Sequence, residues 1–250
     1  MNYFDDVISC CSELLITLPS AKPALNYVNG RLSSASQMKF EFGYFPDNKN
    51  LSMLQSVVGE DKLSKLDLIY DKIIQDGVAN RMIRHSVLEN HNLVMPYKDV
   101  YGNIIAIVGR SLLNDAERHE IDIPKYKNTV FDKRSHLFGL FDAKSSIIKN
   151  NKVFIVEGQF DCISAFDKEI TNVVALGSSN MTFEQFSLIS RYTDNITTIL
   201  DNDDAGRIGT ERILKLYSKY ANINIIELPK DYHDVADYLA ENDAKSLFAT

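Results

Sequence analysis

Two short apolar runs, each ending abruptly in carboxylates and a glycine, constrain this chain more than any other feature. The first is Val153-Phe-Ile-Val156, followed by Glu157-Gly158-Gln-Phe-Asp161. The second is Ile196-Thr-Thr-Ile-Leu200, followed by Asp201-Asn-Asp203-Asp204-Ala-Gly206. Such β-branched-rich runs suit strands covered on both faces. Two further runs, Val173 to Leu176 and Ile223 to Ile226, alternate with helical patterns. That alternation predicts a mostly parallel sheet with helices on both faces. In such a sheet ligands bind just beyond the strand C-termini. Glu157 and Asp201 fall there together if their strands are neighbours, with Asp203 and Asp204 close behind. Crowded carboxylates raise one another's pKa unless a cation shares the site. Hard oxygen donors without Cys or His favour Mg²⁺ or Mn²⁺ over zinc. A lone D-x-D is common on solvated loops and E-G-x-x-D after a strand is weak alone, but both in this order, each closing a strand of one alternating stretch, favour a metal site.

Other residues of this half have two readings each. Gly177-Ser178-Ser179 is a strand-to-helix loop able to receive a phosphate or a template strand, or an ordinary connection. Thr182 with Gln185 forms a capping box that opens a helix to about Arg191. Asp201 and Asp203 are assigned to metal, and Asp204 is the candidate cap of the helix that follows. Arg207 neutralises these acids or meets a phosphate. Asp234 and Asp237 stand one turn apart on a short helix and face the same way. His233 reads as a surface or capping residue.

The upstream half opens with helical spacing from Asn2 to Leu18, stopped by Pro19. A second helix from Ala24 closes at Gly30. Phe40 to Pro46 reads as a strand or extended turn. Leu51 to Gln75 reads as helix, broken at Val58-Gly59 and ended by Gly77. Leu93 to Lys98 and Ile104 to Arg110 then flank a turn at Tyr101-Gly102-Asn103, which predicts a hairpin. Arg110, Lys125, Lys127, Lys133 and Arg134 fall within 25 positions, interleaved with Tyr126 and Phe131. Bases among aromatics suit a surface that tracks phosphates, and a solvated loop is the plainer reading.

Composition narrows the class. The net charge of −7 is uneven: the first 150 residues balance 18 bases against 18 acids, and the last 100 hold 9 against 16. An acidic half that holds cations beside a neutral half with clustered bases suits a nucleic-acid enzyme. Cys10, Cys11 and Cys162 form no C-x-x-C pair, so neither a zinc site nor a disulfide framework is expected. Acids at Asp5 and Asp6 oppose a signal peptide, and no apolar run is long enough for a membrane span. A cytoplasmic protein without membrane contact is the expectation.

Glu157-Gly158…Asp161, Leu176-Gly177-Ser178 and Asp201-Asn-Asp203-Asp204-Ala-Gly206-Arg207 together resemble the Toprim domain shared by DnaG-type primases, topoisomerases and some nucleases. Upstream, Val94 to Arg110, Pro124-Lys125-Tyr-Lys-Asn128-Thr129 and Phe131-Asp-Lys133…Leu137-Phe-Gly139-Leu resemble the basic subdomain of DnaG-type primases, which the other branches lack. The resemblance runs from about residue 20 to the end. It implies an α/β fold, with an α+β primase-core subdomain over 1–145 and a Toprim domain over 146–250. It implies template-directed RNA primer synthesis from NTPs on single-stranded DNA with Mg²⁺ or Mn²⁺ and no zinc. Glu157, Asp201 and Asp203 would be catalytic and metal-binding, with Asp234 and Asp237 completing a second metal site. Arg110, Lys125, Asn128, Lys133, Asp161, Gly177, Ser178 and Arg207 would meet nucleotide or template. The family's usual D-P-D is replaced here by Asp234-Val-Ala-Asp237, closer to phage primase-helicases, which leaves that register open. The expected partners are a replicative helicase or a separate zinc-bearing template-recognition protein, since no cysteine pairs supply one in this chain. The alternatives are a weakly active single-stranded-DNA-binding replication factor and a Toprim-type nuclease.

Overall fold

The computed structural model describes residues 3–76 and 79–248, with the side chains of 74–76 and 79–81 left aside. Asn2 and Gly77, which figured as helix boundaries in the sequence, lie outside the described residues. The chain forms two compact units, each with its own sheet. The first comprises residues 1–30, 37–97 and 104–131, and the second 31–36, 98–103 and 132–250.

The first unit begins with α1 (Tyr3–Thr17), α2 (Lys22–Asn29) and α3 (Ser34–Lys39, whose first turn falls in the second unit). Then come β1 (Gly43–Tyr44), α4 (Leu51–Val58) and α5 (Glu60–Lys65). β2 (Ile69–Asp76), β3 (Ala79–Ser86), β4 (Leu93–Lys98), β5 (Ile104–Arg110), α6 (Asp115–Glu120) and β6 (Tyr126–Asn128) complete it. The sheet order is β1-β4-β5-β6. Val7, Ile8 and Cys11 of α1 pack with Phe45, Leu54, Leu63, Leu88, Val94 and Ile107 into one core. Gly43 permits this, because a Cβ there would stand 2.7 Å from that of Cys11. The β4–β5 hairpin forms where the sequence placed it. Its turn is tied by Asp99, whose Oδ1 accepts from the backbone of Tyr101 (2.8 Å) and Asn103 (2.9 Å).

The stretch after Lys65 is not helical: β2 and β3 pair antiparallel in a separate two-stranded sheet, with Ile73 opposite Met82. Leu68-Ile69 and Ile73-Ile74 recur at a near-helical interval, which masks the strand. The ribbon is also exposed, with Ile73 and Met82 each 66% accessible, so it carries no buried-face alternation. Gly30 does end α2, but at φ −77 in the right-handed region rather than as a left-handed cap.

The second unit contains α7 (Leu140–Asn150), β7 (Val153–Val156), α8 (Gln159–Asp167), β8 (Val173–Ala175) and α9 (Phe183–Ile189). It continues through β9 (Asn195–Ile199), α10 (Asp204–Tyr217), β10 (Asn222–Ile225), α11 (Val235–Glu241) and α12 (Ala244–Phe248). Its sheet has the order β10-β9-β7-β8 with every pair parallel. Successive strand residues point to opposite faces, and all four residues of β7 are buried, so β7 is covered on both sides. β7 and β9 are direct neighbours, with Val156 opposite Ile199. Their carboxylate-bearing ends therefore lie on one edge, as the sequence predicts. Among the described residues no helix is long and apolar enough to cross a membrane.

Candidate active site

The site is built at the C-terminal ends of β7 and β9. β7 delivers Glu157, and the chain turns at Gly158 into α8. β9 delivers Asp201 directly after Leu200. The Glu157 Oε2 atom is buried and has no hydrogen-bond partner. Burial raises the Glu157 pKa, and the charges of Asp203 and Asp161 raise it further. Burial also pushes Asp201 up to about 7, reinforced by Glu157 and Asp234.

Asp203 caps α10, its Oδ1 accepting from the Gly206 N–H at 2.8 Å. This corrects the assignment of the cap to Asp204, which is instead the first helical residue and pairs with Arg207 in solvent. Asp203 keeps its second oxygen beyond this bond. Gly206 is required at the turn, because a Cβ there would stand 2.0 Å from the Asp201 carbonyl oxygen. The helix thus starts directly against the strand end that carries Asp201.

The last acidic pair separates. Asp234 is not on the helix but caps α11, its Oδ1 accepting from Asp237 N–H at 2.7 Å. It is half-buried, and its charge acts on both Asp161 and Asp201. Asp237 lies exposed in the first turn and accepts from His233 N–H at 3.4 Å. The structure therefore brings Asp234, not Asp237, to the carboxylate group. His233 Nδ1 stands 4.0 Å from Asp201 Oδ2, and the His233 carbonyl accepts from Asn202 N–H at 2.8 Å. Its pKa is raised first by a hydrogen bond to its own backbone, then by Asp201, Asp234 and Asp203, against desolvation.

Asp161 lies under this group. It is 4% exposed, with Oδ2 accepting from Gly158 N–H at 2.9 Å and Oδ1 from Ala236 N–H at 2.8 Å. The carboxylate thus ties the start of α8 to the start of α11. Burial, with Asp234 and Asp201 adding to it, pushes its pKa to about 7. The sequence placed Asp161 with the nucleotide contacts, whereas both its oxygens face backbone amides.

The donor set suits a hard divalent cation: it is all oxygen, it is crowded, and one buried oxygen lacks a partner. As the side chains stand, no three acidic, histidine or cysteine groups among the described residues are gathered closely enough to hold an ion.

Lys133 reaches the same edge, its Nζ donating to the Gly177 carbonyl at 2.9 Å, while Gly177 N–H donates to the Glu157 carbonyl at 2.8 Å. Gly177 adopts φ +74, which favours glycine. Ser178 Oγ donates to the Asn180 carbonyl at 3.2 Å. Gln185, whose sequence pattern signals only a cap, holds this arrangement together. Its Oε1 accepts from Thr182 N–H, while its buried Nε2 faces the carbonyls of His136 (2.9 Å) and Leu176 (3.2 Å). Nothing local in the sequence signals contacts that far along the chain.

In the first unit, Arg110 ends β5 opposite Tyr126 of β6, and Asn128 lies opposite Val108. Arg110 is 8% exposed, and the Asn128 Oδ1 is buried without a partner. Lys125 is exposed, and its carbonyl accepts from Ser111 N–H at 2.9 Å. The preceding Pro124 carbonyl is held by the buried His91 ring at 2.8 Å.

Comparison with known proteins agrees with this architecture. A family profile for the DNA primase catalytic core, N-terminal domain, matches residues 12–144. The chain belongs to the DnaG-type primase family. A Toprim-like profile matches residues 154–239 of this primase relative. The DNA primase of Aquifex aeolicus is 30% identical over 241 residues, covering 95% of this chain and 46% of that protein. The DNA primase of Enterococcus faecalis is 27% identical, covering 94% and 37%. The chain thus spans less than half the length of these relatives. A crystal structure of the zinc-binding and RNA polymerase domains of the Aquifex primase superposes with TM-score 0.75 at 26% identity, covering 99% and 60%. A DnaG primase catalytic domain bound to single-stranded DNA gives TM-score 0.78 at 22% identity, covering 99% and 78%, a likeness of fold.

Proposed function

We propose that this chain is a primase catalytic core that makes short RNA primers from NTPs on single-stranded DNA. One observation carries the reading within this family: Glu157, Asp201, Asp203 and Asp234 converge on one sheet edge, and Glu157 keeps a buried oxygen unpartnered. In the reaction a ribonucleotide 3′-hydroxyl attacks the α-phosphate of an incoming NTP, and pyrophosphate leaves. Asp201, Asp203 and Asp234 would hold a divalent cation, Mg²⁺ or Mn²⁺, with Glu157 as a further ligand or as acceptor of the 3′-hydroxyl proton. When bound, such a cation supplies charge neutralisation at the phosphates.

The protein's own part is positioning. Asp203 and Asp234 each spend one oxygen on a helix cap, which fixes the carboxylate and leaves the other oxygen for a ligand. Asp161 fixes the start of α11, and with it Asp234. Lys133 rests on the Gly177 carbonyl, beside the loop whose Ser178 we assign to phosphate contact. Arg110, Lys125 and Asn128 are assigned to nucleotide and template contacts, and exposed Arg207 to phosphate.

The deciding measurement is incorporation of labelled NTPs on single-stranded DNA with Mg²⁺ or Mn²⁺, comparing the wild type with Asp201→Asn. Short RNA from the wild type and a loss of at least about a hundredfold in the variant is expected. A replicative helicase is added in a parallel arm. Template degradation without RNA would indicate a nuclease, and DNA binding without either would indicate a binding factor.

A further inference from the structure

Arg110 is held in an unusual way. Its guanidinium carbon lies 4.9 Å from the centre of the Tyr27 ring and 5.0 Å from that of Tyr126. One of its N–H groups also donates to the Tyr126 hydroxyl. Tyr126 is its cross-strand partner, so that contact follows from the sheet register. Tyr27 is 83 residues away on α2 and has no such reason to be there. The neighbouring Val28 and Ala24 anchor α2 by burial, and Tyr27 itself is half-buried. The backbone at Arg110 is equally fixed, since a Cβ on Gly109 would stand 2.7 Å from the His91 carbonyl oxygen.

A guanidinium binds phosphate edge-on, through paired N–H groups in its plane. An arginine on a flexible stem finds that pose only part of the time. Ring contacts along its face are attractive and leave the N–H edge in plane. We propose that Tyr27 is a positioning residue, which presses the Arg110 guanidinium into the orientation that presents its edge to a phosphate. This rests on the reading of Arg110 as a nucleic-acid or nucleotide contact. The phosphate belongs to the single-stranded template or to the NTP, and the two are separable by experiment.

The test uses the full chain and a fluorescent single-stranded oligonucleotide. Binding is measured across a salt series for the wild type, Tyr27→Phe, Tyr27→Leu, Arg110→Ala and the Tyr27→Leu/Arg110→Ala double variant. NTP KM and kcat are measured alongside, with a thermal melt of each protein. Tyr27→Phe keeps the ring and is expected to match the wild type. Tyr27→Leu is expected to reduce the slope of log K against log salt by about one if the phosphate is the template's. If the phosphate is the nucleotide's, NTP KM rises several-fold and the slope is unchanged. In either case the Leu change adds nothing once Arg110 is gone, which a purely structural role would not produce. The proposal is overturned if Tyr27→Leu leaves both slope and KM at wild-type values. It is equally overturned if the Leu change costs as much in the Arg110→Ala background. A wild type without salt-dependent binding or NTP incorporation would instead overturn the primase reading, and this assignment with it.

Discussion

At the scale of single residues, Asp161 ties the starts of two helices together with its two oxygens. Its folded-state pKa of about 7 lies above the ordinary 3.8, so in metal-free protein the native state binds its proton more tightly than the unfolded chain does. The stabilising effect of that proton is complete below the unfolded pKa and is lost as pH rises towards 7. Asp201, also raised to about 7, acts in the same direction. Denaturation in EDTA should therefore show stability falling between pH 4.5 and 7.5, by about 1 kcal/mol or more. Asp161→Asn should flatten part of that fall. It should also cost about 1–3 kcal/mol at pH 5, because an amide NH₂, unlike either oxygen of the protonated carboxyl, cannot accept from the backbone donor it faces. A variant with the wild-type pH slope would mean that Asp161 does not titrate in this range. The sequence showed the motif residues but not this division of labour. Glu157 and Asp201 were legible because each closes an apolar run. Asp161 was legible as a motif residue, but its tie to α11 was not, because its partner Ala236 lies 75 positions on.

At the scale of elements, α10 is defined by two tight constraints at its start. Asp203 supplies the cap, and Gly206 lets the first turn sit against the Asp201 carbonyl. Asp203→Ala should cost about 1 kcal/mol through the lost cap, and Asp204→Ala, whose Arg207 partner is exposed, under about 0.5. Equal costs from urea denaturation of the two would show that the cap assignment is wrong. Gly206→Ala should be worse than either, by about 1–3 kcal/mol, because the added Cβ must displace the backbone that bears Asp201. The parallel sheet was readable, since β7 is a continuous apolar run and β9 a β-branched-rich one, both buried on both faces. The Thr182–Gln185 capping box was readable for the same local reason, and both its reciprocal bonds form. The β2–β3 ribbon escaped because exposed strands need no alternation, and Asp203 was passed over because two adjacent aspartates offer the same capping chemistry one residue apart.

At the scale of the whole molecule, the two compact units are not two consecutive stretches of chain. The second unit borrows residues 31–36 and 98–103 from the upstream half. Asp167 at the end of α8 accepts from the Ser33 backbone at 2.9 Å and from its hydroxyl at 2.5 Å. Lys144 donates to the Val100 carbonyl at 2.9 Å, and a Cβ on Gly102 would meet the Phe141 ring at 2.6 Å. Interleaving of this kind leaves no mark in composition or periodicity, which is why the sequence suggested a single cut near residue 145. Its consequence is physical: a fragment covering 132–250 keeps every strand of the parallel sheet yet lacks two segments that pack against α7 and α8. Such a fragment should unfold at lower urea concentration than the same residues within the full chain, and with a smaller m-value. Adding Asp167→Asn to the full chain should reproduce a minor part of that loss. A fragment that unfolds cooperatively at the full-length midpoint would show that the borrowed segments are accessory, and that the unit closes on its own strands and helices alone.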